Sequence, residues 1–365
     1  MKKKWIVAFA VLVLMVEFAV CQEKVPSYLV IEDIDYDDYD YNIHGKVVVG
    51  VTDPAEVPTH VNIPNGIVAI GAAFSGCTSL ASVTIPDSVT VIDGASFSGC
   101  TSLASVTIPK SVTYIGNEVF AGCTSLKRMI IPGGVTEFGE GAFRDCKSLA
   151  SVIIIDGVTE IGSSAFSGCT SLMSVTIPKS VTEVGSGAFE GCKGIEVIYK
   201  GALKDWCATD WDYSICENAK IITLSDGKDL KKLTKIDAGD LAGVTKIGAF
   251  AFGCCTSLAS VTIPSSVTKV DDGVFQNCKS LVSVIIPRSV TKIGAGAFCG
   301  CTLLANVIIP KSVTEIGLDA FGNSPNLNIQ YDGTKAQWKA ILKGNCVSKT
   351  TGIIVWCTDG NLHGR

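Results

Sequence analysis

The chain has 365 residues, a mass of 38.2 kDa and a formal net charge of −5. Hydrophobic residues make up 47% of it, which is enough to build a core and excludes a disordered protein. The mildly acidic balance, without a basic block, argues against a nucleic-acid-binding protein, because neutralising phosphates requires clustered Lys and Arg.

The N-terminus has the pattern of an export signal. Three lysines at positions 2–4 precede an apolar run over residues 5–16. As a helix that run would span about 18 Å, well short of the ~30 Å hydrocarbon core of a bilayer. We therefore predict a signal peptide over residues 1–21 and a protein that is secreted or held at the cell surface. Alternatively, Cys21 is the lipidated first residue of a lipoprotein, although Val20 fits that motif poorly; this lipid would be the chain's membrane attachment.

Two segments lie between the signal and the first repeat. Residues 22–40 concentrate acidic side chains and tyrosines between positions 32 and 40. This run lacks the central glycine that a calcium-binding loop needs, so we interpret it as a solvated acidic tether. Within residues 41–62, the pair His44–Gly45 predicts the turn of a β-hairpin. We expect this second segment to be an N-terminal β cap that covers the exposed end of the first repeat.

A period of 23 residues dominates the rest of the chain. Ten copies place a phenylalanine at the same phase, and nine of them place a cysteine three residues later, whereas the tenth has Ser324 there. The phenylalanine column, which we expect to be core, consists of Phe74, Phe97, Phe120, Phe143, Phe166, Phe189, Phe252, Phe275, Phe298 and Phe321. The cysteine column consists of Cys77, Cys100, Cys123, Cys146, Cys169, Cys192, Cys255, Cys278 and Cys301.

This period predicts a solenoid, because a 23-residue unit is too short to bury its own apolar side chains whereas stacked copies cover one another. Val83 and Ile85 alternate with polar residues, which predicts a short strand with both side chains inward; Pro86 ends it because it lacks an amide hydrogen. A second extended piece and a tight turn or 3-10 segment close each copy. The predicted fold is a mainly β repeat solenoid of ten 23-residue repeats, in blocks over residues 63–198 and 244–330.

An irregular module over residues 199–243 separates the two blocks. The phenylalanines on either side of it lie 63 positions apart, which is 40 more than one period. Its tyrosine–tryptophan pair with seven-residue spacing, Tyr199 and Trp206, recurs as Tyr331 and Trp338 in residues 331–365, which we expect to form a C-terminal cap. Two interpretations of the insertion stay open: a protruding loop that shapes a binding surface, and a larger turn that keeps the solenoid continuous.

The repeat reads L-x-x-V-x-I-P-x-x-V-x-x-I-G-x-x-A-F-x-x-C, as in residues Leu80–Pro86 and Ala142–Cys146. In this pattern the chain resembles the BspA-type leucine-rich repeats of bacterial surface proteins, roughly over residues 63–327. The resemblance implies a curved, right-handed solenoid on an exported protein. It also implies a binding role, since better-known members act as adhesins for host matrix or plasma proteins, or in bacterial coaggregation.

The residues that flank each inward valine are expected to point outward on the concave face. They form a strip of small hydroxyls and β-branched apolar side chains with almost no charge, which suits an extended partner, although Ser and Thr also suit any solvated strand face. These candidate partner-binding residues are Ser82, Thr84, Ser105, Thr107, Arg128, Ile130, Ser151, Ile153, Ser174, Thr176, Ser260, Thr262, Ser283, Ile285, Asn306 and Ile308.

A second outward column carries stacked like charges. Its members are Glu137, Glu160 and Glu183 in the first block and Lys246, Lys269 and Lys292 in the second. Like charges at strand spacing are unfavourable. We therefore hypothesise a dipolar surface that orients a partner or pairs with another copy of the chain; the alternative is an ordinary solvated face.

The cysteines divide into two groups. A metal site needs converging ligands such as C-x₂-C pairs, which do not occur here, so we expect the column to consist of buried free thiols that fill space. Cys207 and Cys216 lie in the insertion, and Cys346 and Cys357 lie in the C-terminal cap. In an exported protein each of these local pairs is a candidate disulfide, with free thiols as the alternative.

The chain carries none of the common motifs for nucleophilic, metal-dependent or nucleotide-dependent catalysis. We therefore predict a protein that is not an enzyme and uses no cofactor. The predicted function is that of an exported binding protein, a cell-surface adhesin that engages host matrix or plasma glycoproteins or proteins of neighbouring cells, and no nucleic acid. The alternative is a structural or self-assembling envelope scaffold without a diffusible ligand.

Overall fold

The computed structural model describes residues 25–37, 42–342, 346 and 354–363. The predicted signal peptide with Cys21, and the end of the predicted tether at residues 38–40, lie outside the described residues. The described chain winds as a mainly β solenoid of about 13 turns with a spacing of about 23 residues, which confirms the predicted fold class. The turns beyond the ten predicted copies come from the inserted module and the two ends, which lack the phenylalanine motif.

Each turn adds strands to two parallel ladders. Ladder A, formed by the Val-x-Ile segments, contains β3 (His60–Asn62), β5 (Ser82–Thr84), β7 (Ser105–Val106), β9 (Arg128–Ile131), β11 (Ser151–Ile154), β13 (Ser174–Ile177), β15 (Ile195–Tyr199), β16 (Ala219–Thr223), β17 (Lys235–Ile236), β18 (Ser260–Thr262), β20 (Ser283–Ile285), β22 (Asn306–Ile309), β24 (Asn328–Tyr331) and β25 (Ile354–Cys357). Ladder B contains β2 (Asn42–Val51), β4 (Ile67–Ile70), β6 (Val91–Ile92), β8 (Tyr114–Ile115), β10 (Glu137–Phe138), β12 (Glu160–Ile161), β14 (Glu183–Val184), β19 (Lys269–Val270), β21 (Lys292–Ile293) and β23 (Glu315–Ile316).

The register of both ladders places equivalent residues of successive copies side by side. In ladder A, for example, Ser151 is paired with Arg128 on one side and with Ser174 on the other. Burial alternates along most strands of ladder A, as the period-2 pattern predicts: Met129 and Ile131 of β9 are buried, and the residues between and before them are exposed. A position in the repeat therefore fixes which face of the ladder a side chain occupies.

The phenylalanine column forms the core, as predicted. Its ten side chains are fully buried, and neighbouring rings stack nearly parallel within each block. The ring centroids are 5.3 Å apart between Phe74 and Phe97 and 5.6 Å apart between Phe252 and Phe275. This distance is close to the spacing of strands in a sheet, so the rings repeat in step with the ladders.

The inserted module contains two short helices and a 3-10 helix in addition to strands. These are α1 (Leu203–Ala208), α2 (Tyr213–Asn218) and the 3-10 helix over Leu230–Lys232. The module fills the core between the two phenylalanine blocks with Trp206 and Trp211, whose ring centroids are 3.7 Å apart, and Tyr199 packs edge-on against both. Asp210 forms a parallel bridge with Glu183. The insertion therefore acts as a larger turn that keeps ladder B continuous.

The C-terminal segment repeats the architecture of the insertion. Its helix α3 (Lys335–Ile341) follows β24 as α1 follows β15. In both modules the tyrosine ring covers the glycine two positions later so closely that a Cβ on Gly201 or Gly333 would lie 2.5 Å from it. In both, a later amide donates to that glycine's carbonyl oxygen over 3.0 Å, from Ser225 and from Thr358. The repeated tyrosine–tryptophan spacing thus reflects one module used twice.

The N-terminal region differs from the sequence-based expectation. Residues 29–37 of the predicted tether form strand β1 (Leu29–Asp37), which pairs antiparallel with β2. His44–Gly45 lies inside β2, opposite Asp35 and Ile34, and is not a hairpin turn. The reason is a small apolar cluster on the outer side of ladder B, in which Ile34 packs against buried side chains that include Ile43 and Val91. Val91 has the repeat position of Glu137, two copies earlier in the outward column that carries the stacked charges, but this cluster buries it.

Both ends of the solenoid finish in an antiparallel pair. At the start, β1 lies outside β2, which in turn pairs parallel with β4. At the other end, β26 (Gly360–His363) pairs antiparallel with β25. These two outer strands cover the edges of β2 and β25, which would otherwise present unpaired backbone groups.

Candidate binding surface

The outward side of ladder A, here called the ladder A face, carries the residues predicted to contact a partner. None of the sixteen predicted residues is buried, and the residue between each pair is a buried valine or Met129, except for the half-buried Val106. The strand register stacks them across the turns, as in the row Ile130, Ile153 and Thr176. Their place on one side of the solenoid is as predicted; the assignment of that side as concave stays a prediction.

Large apolar side chains are concentrated on this face. In the first block the row Ile130–Ile153–Thr176–Ile198 runs across four neighbouring strands, and Ile130 is 56% exposed. In the second block a corresponding row contains Ile285, Ile308, Gln330 and Trp356; Ile285 is 64% exposed and Trp356 51% exposed. Exposed apolar rows of this kind mark interaction surfaces more often than ordinary solvated faces do.

Sequence reasoning missed three apolar residues of this surface. Ile198 and Trp356 lie in the irregular modules, where the repeat motif fades, although each follows an inward residue in an alternating I-E-V-I-Y or I-V-W-C run. Ile155 stands where other copies have the strand-ending proline, and it is exposed. Carrying the V-x-I alternation into the modules would have identified the first two.

The ladder A face is interrupted between β7 and β9, where the expected flat strip opens into a groove. The three strands up to β7 form one sheet and those from β9 to β16 form another, with no strand pairing between β7 and β9. The groove has a volume of about 1080 Å³ and its lining includes Val106, Ile108, Ile130, Pro132 and Ile155. A smaller concavity of about 600 Å³ lies in the second block, beside the equivalent corner residues Pro310 and Lys311.

The stacked glutamates are present as predicted. Glu160 pairs in register with Glu137 on one side and with Glu183 on the other. Burial, and then the negative charges of Glu183 and Glu137, raise the pKa of the Glu160 carboxyl above its ordinary value. Within the described chain, none of these three carboxylates has a Lys or Arg within 4 Å, so this half of the column keeps its negative charge.

The lysine half of the column differs from the hypothesis of an exposed positive patch. Lys246 forms an ion pair with Asp210 over 2.6 Å, and Lys292 forms one with Glu315 over 2.8 Å. Lys269 contacts the carboxylate of Asp271. Each ammonium is thus matched by a carboxylate, and the column is an acidic segment beside a neutralised one.

The cysteine column consists of free buried thiols, as predicted. Each Sγ from Cys100 to Cys192 donates to the carbonyl oxygen of the phenylalanine 26 positions earlier; the distance is 3.0 Å from Cys100 to Phe74. Ser324 continues the pattern with its hydroxyl, 3.5 Å from the Phe298 oxygen. The column therefore ties each turn to the previous one through a weak hydrogen bond.

The two candidate disulfides are not formed, because all four cysteines concerned are free. Cys216 is buried and donates to the carbonyl oxygen of Phe250 over 3.1 Å, a bond to a later turn, whereas the column cysteines donate to an earlier one. Cys207 is buried in the core, where burial raises its pKa. Cys346 is buried as well, and Cys357 is half-buried on β25.

The described residues offer neither a metal-ion cluster nor a membrane-spanning helix. They contain no group of three or more His, Cys, Asp or Glu side chains arranged to hold a metal ion. In the same residues no helix combines the length and the apolar character needed to cross a bilayer.

A family model for the BspA type leucine-rich repeat region, in six copies, matches residues 58–170, 136–238 and 228–337. The chain belongs to the BspA-type leucine-rich repeat family. This family consists of surface proteins whose solenoids are generally non-catalytic binding scaffolds. A search of curated proteins gave no significant match.

Several solved structures resemble this BspA-type chain. A leucine-rich cell surface protein from Faecalibacterium prausnitzii A2-165 is 28% identical, with 86% of this chain and 99% of that chain covered and a TM-score of 0.47. A leucine-rich repeat protein from Bacteroides ovatus is 24% identical, with 91% and 99% covered and a TM-score of 0.36. The pneumococcal vaccine antigen PcpA is 15% identical, with 86% and 81% covered and a TM-score of 0.48.

Proposed function

We propose that this protein is an exported, non-catalytic surface adhesin that holds extracellular proteins on the ladder A face. The partners are host matrix or plasma glycoproteins, or proteins of neighbouring cells. The observation that carries the proposal is the pair of exposed apolar rows around Ile130 and Ile285 on this face. A rigid, repeated strand surface with stacked isoleucines offers a long, preformed contact area for a protein partner.

The test is direct binding of the purified protein to a panel of extracellular matrix and plasma glycoproteins at physiological salt. Ile130→Glu and Ile285→Glu place a charge in the middle of each row. Leu318→Glu is the matched control, because Leu318 is as exposed as Ile130 but lies outside both rows. We expect saturable binding that the two isoleucine variants weaken at least about tenfold and that the control retains.

Equal binding by all three variants would show that the ladder A face is not the binding surface. Absence of binding across the panel, together with a particle mass that rises with protein concentration and falls in Ile130→Glu, would replace the adhesin by a self-assembling envelope scaffold. Light scattering over a concentration series measures that mass.

A further inference from the structure

We propose that the groove between β7 and β9 is an anchor site for an extended, acidic peptide segment of the partner, which inserts an apolar side chain between the two strands. This inference rests on the proposed function and names the partner's chemistry at one place on the ladder A face.

The groove has a cause in the sequence. In most copies a serine at the corner after the strand donates to a carbonyl of the previous turn, as Ser111 does to Val89 over 2.7 Å and Ser180 does to Val158 over 2.7 Å. The corner after β9 has Gly133 and Gly134 in place of Lys and Ser, so this hydrogen bond to the preceding turn is missing. The backbone of Gly134 nevertheless packs closely on the preceding turn, since a Cβ there would lie 2.7 Å from the carbonyl oxygen of Lys110, so the two turns stay in contact at this corner.

At the start of β9 a second hydrogen bond to the preceding turn is missing. In other copies the amide before the strand donates to the equivalent carbonyl one turn earlier, as Ala104 does to Ala81 over 3.0 Å and Ala150 does to Lys127 over 2.9 Å. No such bond joins Lys127 to Ala104 among the described residues. The facing edges of β7 and β9 are consequently not joined as a ladder, although their turns stay adjacent, with the rings of Phe97 and Phe120 5.4 Å apart; the space beside the strands suits a side chain rather than an added strand.

The lining of the groove suits an apolar side chain. Val106 is half-buried here, whereas its equivalents Val83 and Val152 are buried. Ile130 and Ile155 stand exposed beside it, and Pro132 adds to the apolar lining. An aliphatic or aromatic side chain that entered would cover apolar surface that now contacts water, which is favourable in proportion to the area removed from water.

The charge around the groove selects an acidic partner. Arg128 lies at the start of β9 and Lys110 at the corner after β7, and neither has a carboxylate within 4 Å in the described chain. Asp87 is the single acidic residue of the lining. Lys110 is equivalent in the repeat to position 133, so the two cations are separated by about five residues of extended chain, roughly 16 Å. A segment with carboxylates at that spacing and an apolar residue between them complements both features.

The experiment uses three capped peptides and the full chain, with binding measured by calorimetry at low ionic strength. The acidic probe is Asp-Leu-Thr-Ile-Thr-Asp, the charge-reversed probe has Lys at both ends, and the polar probe has Ser in place of Leu and Ile. We expect the acidic probe to bind at least about tenfold more tightly than the other two. Hydrogen exchange should slow on its addition in residues 105–107 and 128–131, and should stay unchanged in residues 260–285.

The variants are Lys110→Ser and Arg128→Ser. Serine occupies the position of Arg128 in the equivalent strands, at Ser151 and Ser174, so the second variant restores the common repeat residue. Lys179→Ser is the matched control, because Lys179 occupies the position of Lys110 in a copy without the groove. We expect each of the two groove variants to lower the affinity for the acidic peptide about tenfold, and the control variant to leave this affinity unchanged.

Two results would overturn the proposal: equal affinity for the three peptides, or an affinity for the acidic probe that neither groove variant changes. If the acidic peptide fails to bind while the glycoprotein panel still shows binding that Ile130→Glu removes, the anchor site is wrong and the proposed adhesin function stands. If the acidic peptide binds and no glycoprotein of the panel does, the proposed anchor site stands and the proposed glycoprotein partners are wrong.

Discussion

The ammonium nitrogen of Lys246 lies 2.6 Å from a carboxylate oxygen of Asp210, although 36 positions separate the two residues in the chain. Asp210 belongs to the insertion and follows Glu183 in ladder B. The insertion therefore supplies the carboxylate at the point where the column changes from glutamates to lysines. The pair is half-exposed, so its contribution to stability is small, about 0–1 kcal/mol. Its larger effect is to leave the net charge of the column on the glutamates.

The first prediction concerns Glu160→Gln. The raised pKa means that the folded chain binds the Glu160 proton more tightly than the unfolded chain does. Stability contributed by this group is therefore lost as the pH rises through the titration range, and is present only at acidic pH. We expect the substitution to raise the free energy of unfolding at pH 7 by about 0.5 kcal/mol, since the site is partly exposed.

Denaturant unfolding at pH 7 and at about pH 3.5 measures this effect, and the gain should disappear at the lower pH. Glu196→Gln is the control, because Glu196 lies between Ser174 and Ile221 without a neighbouring carboxylate in the strand register. A gain of equal size in both variants would mean that the stacked charges are not its source.

The second prediction uses the same column to test the hypothesis that it orients a partner. Replacing Glu137, Glu160 and Glu183 together with Lys reverses its charged half. For a partner with an acidic contact segment, the association rate should rise severalfold at low salt, and the difference should vanish at high salt. Stopped-flow binding over a salt series measures it, and unchanged rates would show that the column is an ordinary solvated face.

The third prediction concerns the phenylalanine column. Phe143→Ala removes a ring that stacks between Phe120 and Phe166, each 5.3 Å away, and it should cost about 3–5 kcal/mol of unfolding free energy. Because a turn contacts mainly its neighbours, faster hydrogen exchange should be confined to the turns around positions 120–166. Ile153→Ala, an exposed site, serves as the control with a change of about 0.5 kcal/mol or less.

The fourth prediction concerns thiol reactivity. Burial raises the pKa of Cys123 and Cys192 to about 12 and removes them from solvent, whereas Cys254 and Cys299 are half-buried. Iodoacetamide at mildly alkaline pH should therefore alkylate Cys254 and Cys299 rapidly in the native protein and leave the other two unmodified. Mass spectrometry of tryptic peptides gives the rates. Labelling of Cys123 as fast as Cys254 would contradict the buried column, and a bridged Cys207–Cys216 peptide would contradict the free thiols.

The fifth prediction concerns the corner beside the groove. A Cβ at Gly133 would clash with the carbonyl oxygen of Asp156, and one at Gly134 would lie 2.7 Å from the carbonyl oxygen of Lys110. Gly133→Ala should cost about 1–3 kcal/mol of unfolding free energy, because backbone atoms have to shift. Gly239→Ala, where a Cβ would meet no atom within 4 Å, is the control. A loss no larger than the control's would show that the corner relaxes freely.

Periodicity was sufficient to predict the solenoid, the buried phenylalanines and the outward side of ladder A. A residue such as Ile130 is assigned to a face by its position in the repeat alone, because stacking in register makes every copy's environment alike. The ion pair between Lys246 and Asp210 could not be predicted in this way. Asp210 lies in the insertion, which interrupts the 23-residue period, so its position depends on the path of the chain through the insertion.

The N-terminal ribbon shows a different limit of sequence reasoning. His44–Gly45 has the composition of a turn, but Gly45 lies in a strand beside the side chain of Val68, 3.4 Å from where its Cβ would be. Ile34 of β1 packs on the outer side of ladder B, and this contact could not be predicted from the local sequence pattern. The groove could not be predicted either. In the sequence its corner differs from most copies only by Gly133 and Gly134, and the hydrogen bond that a serine makes at this position in other copies is known only from the structure.

The antiparallel strands at the two ends determine which backbone edge a second copy of the chain would meet there. An array of near-identical parallel turns has no internal reason to stop, because the last turn of one molecule presents the same edge that the first turn of another could extend. Such a head-to-tail contact does not close on itself and would grow into an open filament. By reversing direction, β1 and β26 present edges of the wrong polarity for a further parallel turn, which disfavours head-to-tail growth at these two edges.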